Sequence, residues 1–266
     1  MLMGRGGGGG LFDDDQVGYS EEEADSWDIQ TQKVHWPLGF VLASDYAPAL
    51  RTLGLVDPAE QKLGSGGFGA AFRVELFGRD GVLKFTRDPM EVVASWALRG
   101  KTTQHVVPIY EVWSLAKMHS FPHWASWWVI HRGYLSDPSN KDGDFLQTIY
   151  DLWKDEDLDL SIPRPGNAGR GMREKWRLYF RKETTCTPAE TQRCLVLLDQ
   201  ISHGIREMAL HGIEWTDLLP DNLLRDKSGS IRIADVGFGR PKRDIECDPP
   251  ELTIDLARDY RGPLTR

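Results

Sequence analysis

Asp217, Asn222 and Asp235 constrain this chain more than any other feature. Asn222 follows Asp217 by five residues, and Asp235 follows Asn222 by thirteen. Between them, Asp226-Lys227-Ser228-Gly229-Ser230 has turn-forming composition, so 223–225 and 231–234 are expected to pair as a hairpin. Such a hairpin would return Asp235 beside Asn222. Two hard oxygen ligands for Mg²⁺ would then meet near a further carboxylate, that of Asp217. Singly, each of these residues is also an ordinary cap or turn former. The joint spacing is what points to chemistry.

Upstream, Gly64-Ser65-Gly66-Gly67-Phe68-Gly69 forms a G-x-G-x-x-G run. A dinucleotide fold would continue directly into a helix, whereas Ala70-Ala71-Phe72-Arg73-Val74-Glu75 reads as a strand. A glycine hairpin of this kind can lay backbone N–H groups over phosphates, where a Cβ would obstruct close approach. A plain glycine-rich turn fits the isolated motif equally well. Lys84 follows fifteen residues after Gly69, inside the apolar run Val82-Leu83-Lys84-Phe85. A lysine there is costly unless its ammonium finds an anion or points into water from an edge strand. Glu91 reads two ways: as the anion for Lys84, or as the third residue of a capping box opened by Asp88.

The rest of the chain sorts into a β-rich part and a helical part. Strands are expected over 63–75, 81–86, 106–113 and 127–135, with a Gly-Arg-Asp-Gly turn at 78–81. Short helices are expected over 44–53 and from Asp57, and a longer one from Asp88 to Gly100. Beyond residue 136 a helix is expected over 145–153, then a long loop or insertion over 156–185 rich in Pro, Gly and Arg. Thr187-Pro188-Ala189-Glu190 opens another helix, whose Cys194, Leu198, Ile201, Ile205 and Met208 share one face, ending near His211-Gly212.

Charge is unevenly placed. Residues 1–30 carry eight acids against Arg5, so they contribute −7 of the net −8. With the run Gly6 to Gly10, residues 1–33 read as a flexible acidic tail. The acidic balance leaves no basic face for nucleic acid. No stretch approaches the roughly 20 apolar residues of a spanning helix, and no signal peptide is legible, so a cytoplasmic location without a membrane partner is expected. Cys186, Cys194 and Cys247 form neither a metal-ligand spacing nor an even disulfide set.

Over roughly 62–240 these motifs together resemble the protein-kinase superfamily. The resemblance implies an α+β, two-lobed fold: an N-terminal extension and β-rich N-lobe over 34–135, and a mostly helical, truncated C-lobe over 136–266. It implies ATP as cofactor, with Gly64, Gly66 and Gly69 in the covering loop and Lys84 on the α/β-phosphates. Glu91 would be the helix partner of that lysine, and Ala71 and Val82 would sandwich adenine. Asp217 would match the catalytic-loop aspartate, and Asn222 and Asp235 the ligands of Mg²⁺. The strand ending near 131–135 would lead into the hinge.

The chain departs from the pattern in several places. Trp215-Thr216-Asp217 stands where the family has H-R-D, Leu219 where it has a lysine, and Val236 where it has the phenylalanine of D-F-G. Without that arginine, switching by a phosphorylated loop loses its usual partner. Only 29 residues follow Gly237, so the peptide platform is expected to be short, absent or completed by a partner chain. Pro249-Pro250-Glu251 reads either as a faint A-P-E or as a Pro-rich loop. The expected activity is transfer of the γ-phosphoryl of Mg-ATP to a protein Ser/Thr hydroxyl. The alternatives are a small-molecule phosphotransferase and a non-catalytic ATP-binding scaffold.

Overall fold

The computed structural model describes residues 46–66, 68–115, 127–156, 167–182, 186–237, 239–241 and 245–262. The acidic tail, the rest of the N-terminal extension to residue 45, and Gly67 lie outside the described residues. The chain is α+β. Helices α1 (Ala47–Thr52) and α2 (Pro58–Gln61) precede strands β1 (Lys62–Gly66), β2 (Gly69–Leu76) and β3 (Arg79–Thr86). Helix α3 (Pro89–Leu98) and strands β4 (Ile109–Ser114) and β5 (Trp128–Gly133) come after them. These five strands form one antiparallel sheet in the order β1-β2-β3-β5-β4.

The stretch 63–75, expected as one strand, is two. It folds back at Gly66 opposite Gly69, so the glycine run is a hairpin tip. The next turn also lies earlier than expected, at Phe77-Gly78 rather than over 78–81. Both residues have positive φ (54° and 71°), the geometry of a two-residue hairpin whose strands twist the right way. Arg79 and Asp80 therefore belong to β3, where Asp80 pairs with Arg73 across the hairpin at 2.9 Å.

Helices dominate the C-terminal half of the chain: α4 (Asn140–Glu156), α5 (Asn167–Lys182) and α6 (Pro188–Leu210). Short strands β6 (Ile213–Glu214), β7 (Leu223–Arg225), β8 (Ile231–Ile233) and β9 (Arg240–Pro241) come next, then α7 (Ile254–Asp259). Helix α6 starts with a capping box between Thr187 and Glu190, and His211 is its C-cap. Helix α5 corrects the expectation of a loop over 156–185. Its Trp176 and Phe180, four residues apart, are both buried, with ring centroids 5.5 Å apart, and the helix packs on α6.

Two apolar clusters flank the sheet. Its outer face, with Phe72, Leu83, Phe85 and Val129, is covered by Leu50 of α1, by Leu53 at the C-terminal cap of that helix, and by Leu252 and Ala257 from the C-terminal segment. Its other side contributes Val112 and Ile130 to a cluster shared with α3, α4, α5 and α6. Period-2 alternation sends successive apolar residues of a strand, such as Val129 and Ile130, to opposite clusters.

The C-terminal segment thus returns to the sheet. Ser114 at the end of β4 donates its N–H to Pro250 O and accepts from Leu252 N–H, each at 2.9 Å. Residues 250–252 therefore brace β4. Helix α7 packs against α1, and the Tyr260 ring stands edge-on to Trp113. No helix among the described residues is long and apolar enough to cross a membrane.

Candidate active site

Lys84 sits opposite Ala71 of β2 and Ile130 of β5. Val82, two residues away on the same face, is opposite Arg132. Ala71, Val82, Lys84, Ile130 and Arg132 therefore share one face of the sheet, away from the cluster under α1 and α7. From that face the Lys84 Nζ reaches Glu91 Oε1 of α3 at 2.5 Å and Asp235 Oδ2 at 2.8 Å. Two consecutive elements and a segment 151 residues further along the chain meet at one ammonium.

Glu91 is only 3% exposed, so its charge requires a neighbouring cation. Asp88 caps α3 by accepting from Met90 N–H, while the Glu91 carboxylate is turned to Lys84. Burial pushes the Glu91 carboxyl above the usual carboxylate range, and the charges of Lys84 and Arg132 oppose that push. Burial acts on Asp235 the same way and is the largest influence on it, but Lys84, Arg132 and the Gly237 N–H together outweigh it and hold Asp235 below its ordinary value. The Gly237 N–H donates to Asp235 Oδ1 at 2.9 Å, fixing the carboxylate from its other side.

The segment carrying Asp217 and Asn222 is tied to Asp235 through the backbone. The β7–β8 hairpin pairs Leu223 with Ile233, and Ala234 N–H donates to Asn222 O at 2.7 Å. The Asp226 carboxylate closes its turn, accepting from Ser228 and Ser230 N–H. Asn222 Nδ2 donates to Asp217 Oδ2 at 2.7 Å and to Asp217 O at 3.1 Å, so its amide is oriented by the aspartate. Burial raises the Asp217 carboxyl above the ordinary range; the Asn222 bond opposes this and the Asp235 charge adds to it. A half-buried carboxyl so placed is suited to accept a proton.

Trp215 is buried, and its indole Nε1–H donates to Asp235 O at 3.0 Å. The ring thus anchors the Asp235 backbone to the segment that carries Asp217. Val236 is also buried, in the cluster shared with the helices.

The glycines divide by role. A Cβ on Gly69 would lie 1.8 Å from Phe85 O, so the β2–β3 pairing itself demands glycine there. A Cβ on Gly64 would meet nothing within 4 Å. Gly64 and Gly66 lie in β1 and Gly69 opens β2, so all three stand at the hairpin tip rather than in the Lys84 cluster.

Among the described residues, no three His, Cys, Asp or Glu side chains gather as a metal site. Asn222 and Asp235 offer an amide oxygen and a carboxylate. Such hard donors fit a Mg²⁺ that takes its remaining ligands from phosphate and water, as this cation commonly does. The sequence reading missed Arg132. Its Nη1 donates to Ala234 O, and its charge acts on both Glu91 and Asp235. The signal was present, because Arg132 lies in the apolar run Trp128-Val129-Ile130-His131, as Lys84 lies in its own. No protein-family model matches this sequence, and no curated protein matches it significantly.

Proposed function

We propose that the chain is an ATP-dependent phosphotransferase with a two-lobed, kinase-like arrangement, the nucleotide lying between the sheet and the helical part. One observation carries this reading. Lys84 Nζ lies within 2.8 Å of two carboxylates, one from the adjoining helix α3 and one from 151 residues away. A half-buried cation held between two anions is a ready anchor for phosphate oxygens.

In this reading Lys84, steadied by Glu91, presents its ammonium to the phosphates. Ala71 and Val82 flank the base, and the glycine hairpin lays backbone N–H groups over the phosphate chain and excludes water. Asp235 and Asn222 hold Mg²⁺, which when bound offsets phosphate charge. Asp217 orients the acceptor hydroxyl and takes its proton as the acceptor oxygen bonds to the γ-phosphorus and the bond to the β-phosphate oxygen breaks.

The first acceptor reading is a Ser/Thr hydroxyl of a protein. A smaller alcohol is the second, favoured by residues 245–262, which brace the sheet instead of adding a peptide platform to the helical part. Lys84→Ala tests the nucleotide assignment. ATP affinity and transfer rate, measured on the same preparation, are both expected to fall by about tenfold or more, since a charged hydrogen bond to phosphate is lost. Unchanged values would remove Lys84 from the site.

A further inference from the structure

We infer that Arg132 is a positioning residue for Asp235, tying its backbone to the sheet while Lys84 is drawn to the phosphates. This rests on the nucleotide reading and deepens it, since it names the residue that sets how readily Asp235 takes up Mg²⁺.

From the five-stranded sheet, Lys84 of β3 and Arg132 of β5 both reach the segment around Asp235. Lys84 grips the carboxylate, Nζ to Oδ2 at 2.8 Å. Arg132, on the same sheet face, donates from Nη1 to the carbonyl of Ala234, the preceding residue. The two links fare differently when the site fills. Phosphate oxygens compete with Asp235 for the Lys84 ammonium, so that link weakens. The Ala234 carbonyl is backbone and no ligand replaces it, so the Arg132 link endures. Carboxylates also outnumber cations here: Glu91, Asp217, Asp235 and Asp88, whose Oδ2 lies beside Gly237, stand against Lys84 and Arg132. The guanidinium acts on both Glu91 and Asp235, and the surplus of negative charge keeps it in place. The helical part holds the same segment through other bonds. Ala234 N–H donates to Asn222 O at 2.7 Å, and the Trp215 indole to Asp235 O at 3.0 Å. Those bonds fix Asp235 against Asn222 and Asp217. Arg132 fixes that group against the strand that carries Lys84, because β5 pairs with β3.

Two measurements on the full chain test this. Arg132→Met keeps the length of the side chain without a donor, and Arg132→Lys keeps a charged donor. With neither nucleotide nor metal present, hydrogen exchange at the amides of Ala234 and Gly237 is expected to quicken about tenfold in Arg132→Met, as a charged hydrogen bond is lost. Amides within α6 should keep their wild-type rates. In single-turnover transfer, the Mg²⁺ concentration giving half the maximal rate is expected to rise about tenfold, because Asp235 is less often in place to hold the ion. The ATP concentration giving half the maximal rate should stay within about threefold of wild type. Arg132→Lys should bring the exchange rates and the Mg²⁺ midpoint back to within about threefold of wild type. Thermal unfolding sets a temperature at which every variant is folded. Wild-type exchange and an unchanged Mg²⁺ midpoint in Arg132→Met would overturn the proposal while leaving the nucleotide reading intact. A rate lowered equally at all Mg²⁺ concentrations, or α6 amides quickened as much, would overturn it too, leaving the arginine a structural strut. No transfer by the wild type at any Mg²⁺ concentration would overturn both.

Discussion

Asp217→Asn and Asp235→Asn are each expected to stop phosphoryl transfer, by different routes. Asp217→Asn keeps Lys84, Asp235 and the amide of Asn222, so ATP should bind with little change. What it removes is the acceptor-side base, a loss of about 10²–10⁴-fold in rate. Asp235→Asn removes the charged oxygen proposed for Mg²⁺ and one anion of Lys84, so transfer should fall and demand more Mg²⁺ for the remainder. Single-turnover transfer across a Mg²⁺ titration separates the two, and undiminished transfer by both variants would reject the assignment. The pH profile adds a sign. Burial raises Asp217, so as pH falls it should protonate, and transfer disappear, at a pH above its ordinary 3.8. Asp235 is shifted down and stays ionised through that window. The acid limb should therefore be absent from the residual activity of Asp217→Asn.

Deleting residues 245–262 is expected to unfold or severely weaken the sheet. The deletion takes away Leu252, Ala257 and Tyr260 and uncovers Leu50, Leu53 and Trp113, all part of one buried cluster or packed on it. At about 1.5–3 kcal/mol per large apolar side chain, the loss is on the order of 5 kcal/mol or more. That approaches the whole stability of many domains, and for a chain of this size corresponds to a Tm lowered by roughly 10–20 °C. Leu252→Ala alone should cost about 2–5 kcal/mol, giving a graded version of the same effect. Thermal and urea unfolding measure both. A deletion variant with wild-type Tm would show that the segment merely lies on the sheet.

The features legible in the sequence were those with a local physical signature. Lys84 stood out as a charge in an apolar strand, and the spacing of Asp217, Asn222 and Asp235 around the turn at 226–230 anticipated the β7–β8 hairpin. Helix α6 was legible from its capping box and its apolar face. What escaped depends on contacts distant in sequence or on masked periodicity. Helix α5 is crowded with Arg and Lys and contains Gly169 and Gly171, so the apolar pair Trp176 and Phe180 was too sparse to reveal its buried stripe. The docking of 245–262 on β4 arises from Leu252 and Tyr260 meeting residues more than 100 positions earlier, and nothing near them in sequence announces the partner. Arg132 was legible in principle by the argument that singled out Lys84. Its relation to Asp235 required the β3–β5 register.

The most direct test of the central claim is a single-turnover reaction of the full chain with ATP labelled at the γ-phosphate, in Mg²⁺, against a mixture of proteins and a panel of small alcohols. The account predicts label on an acceptor hydroxyl, lost in Lys84→Ala and Asp217→Asn. Tight ATP binding with no label leaving the nucleotide for any acceptor, or for the protein itself, would contradict it and make the chain a nucleotide-binding scaffold.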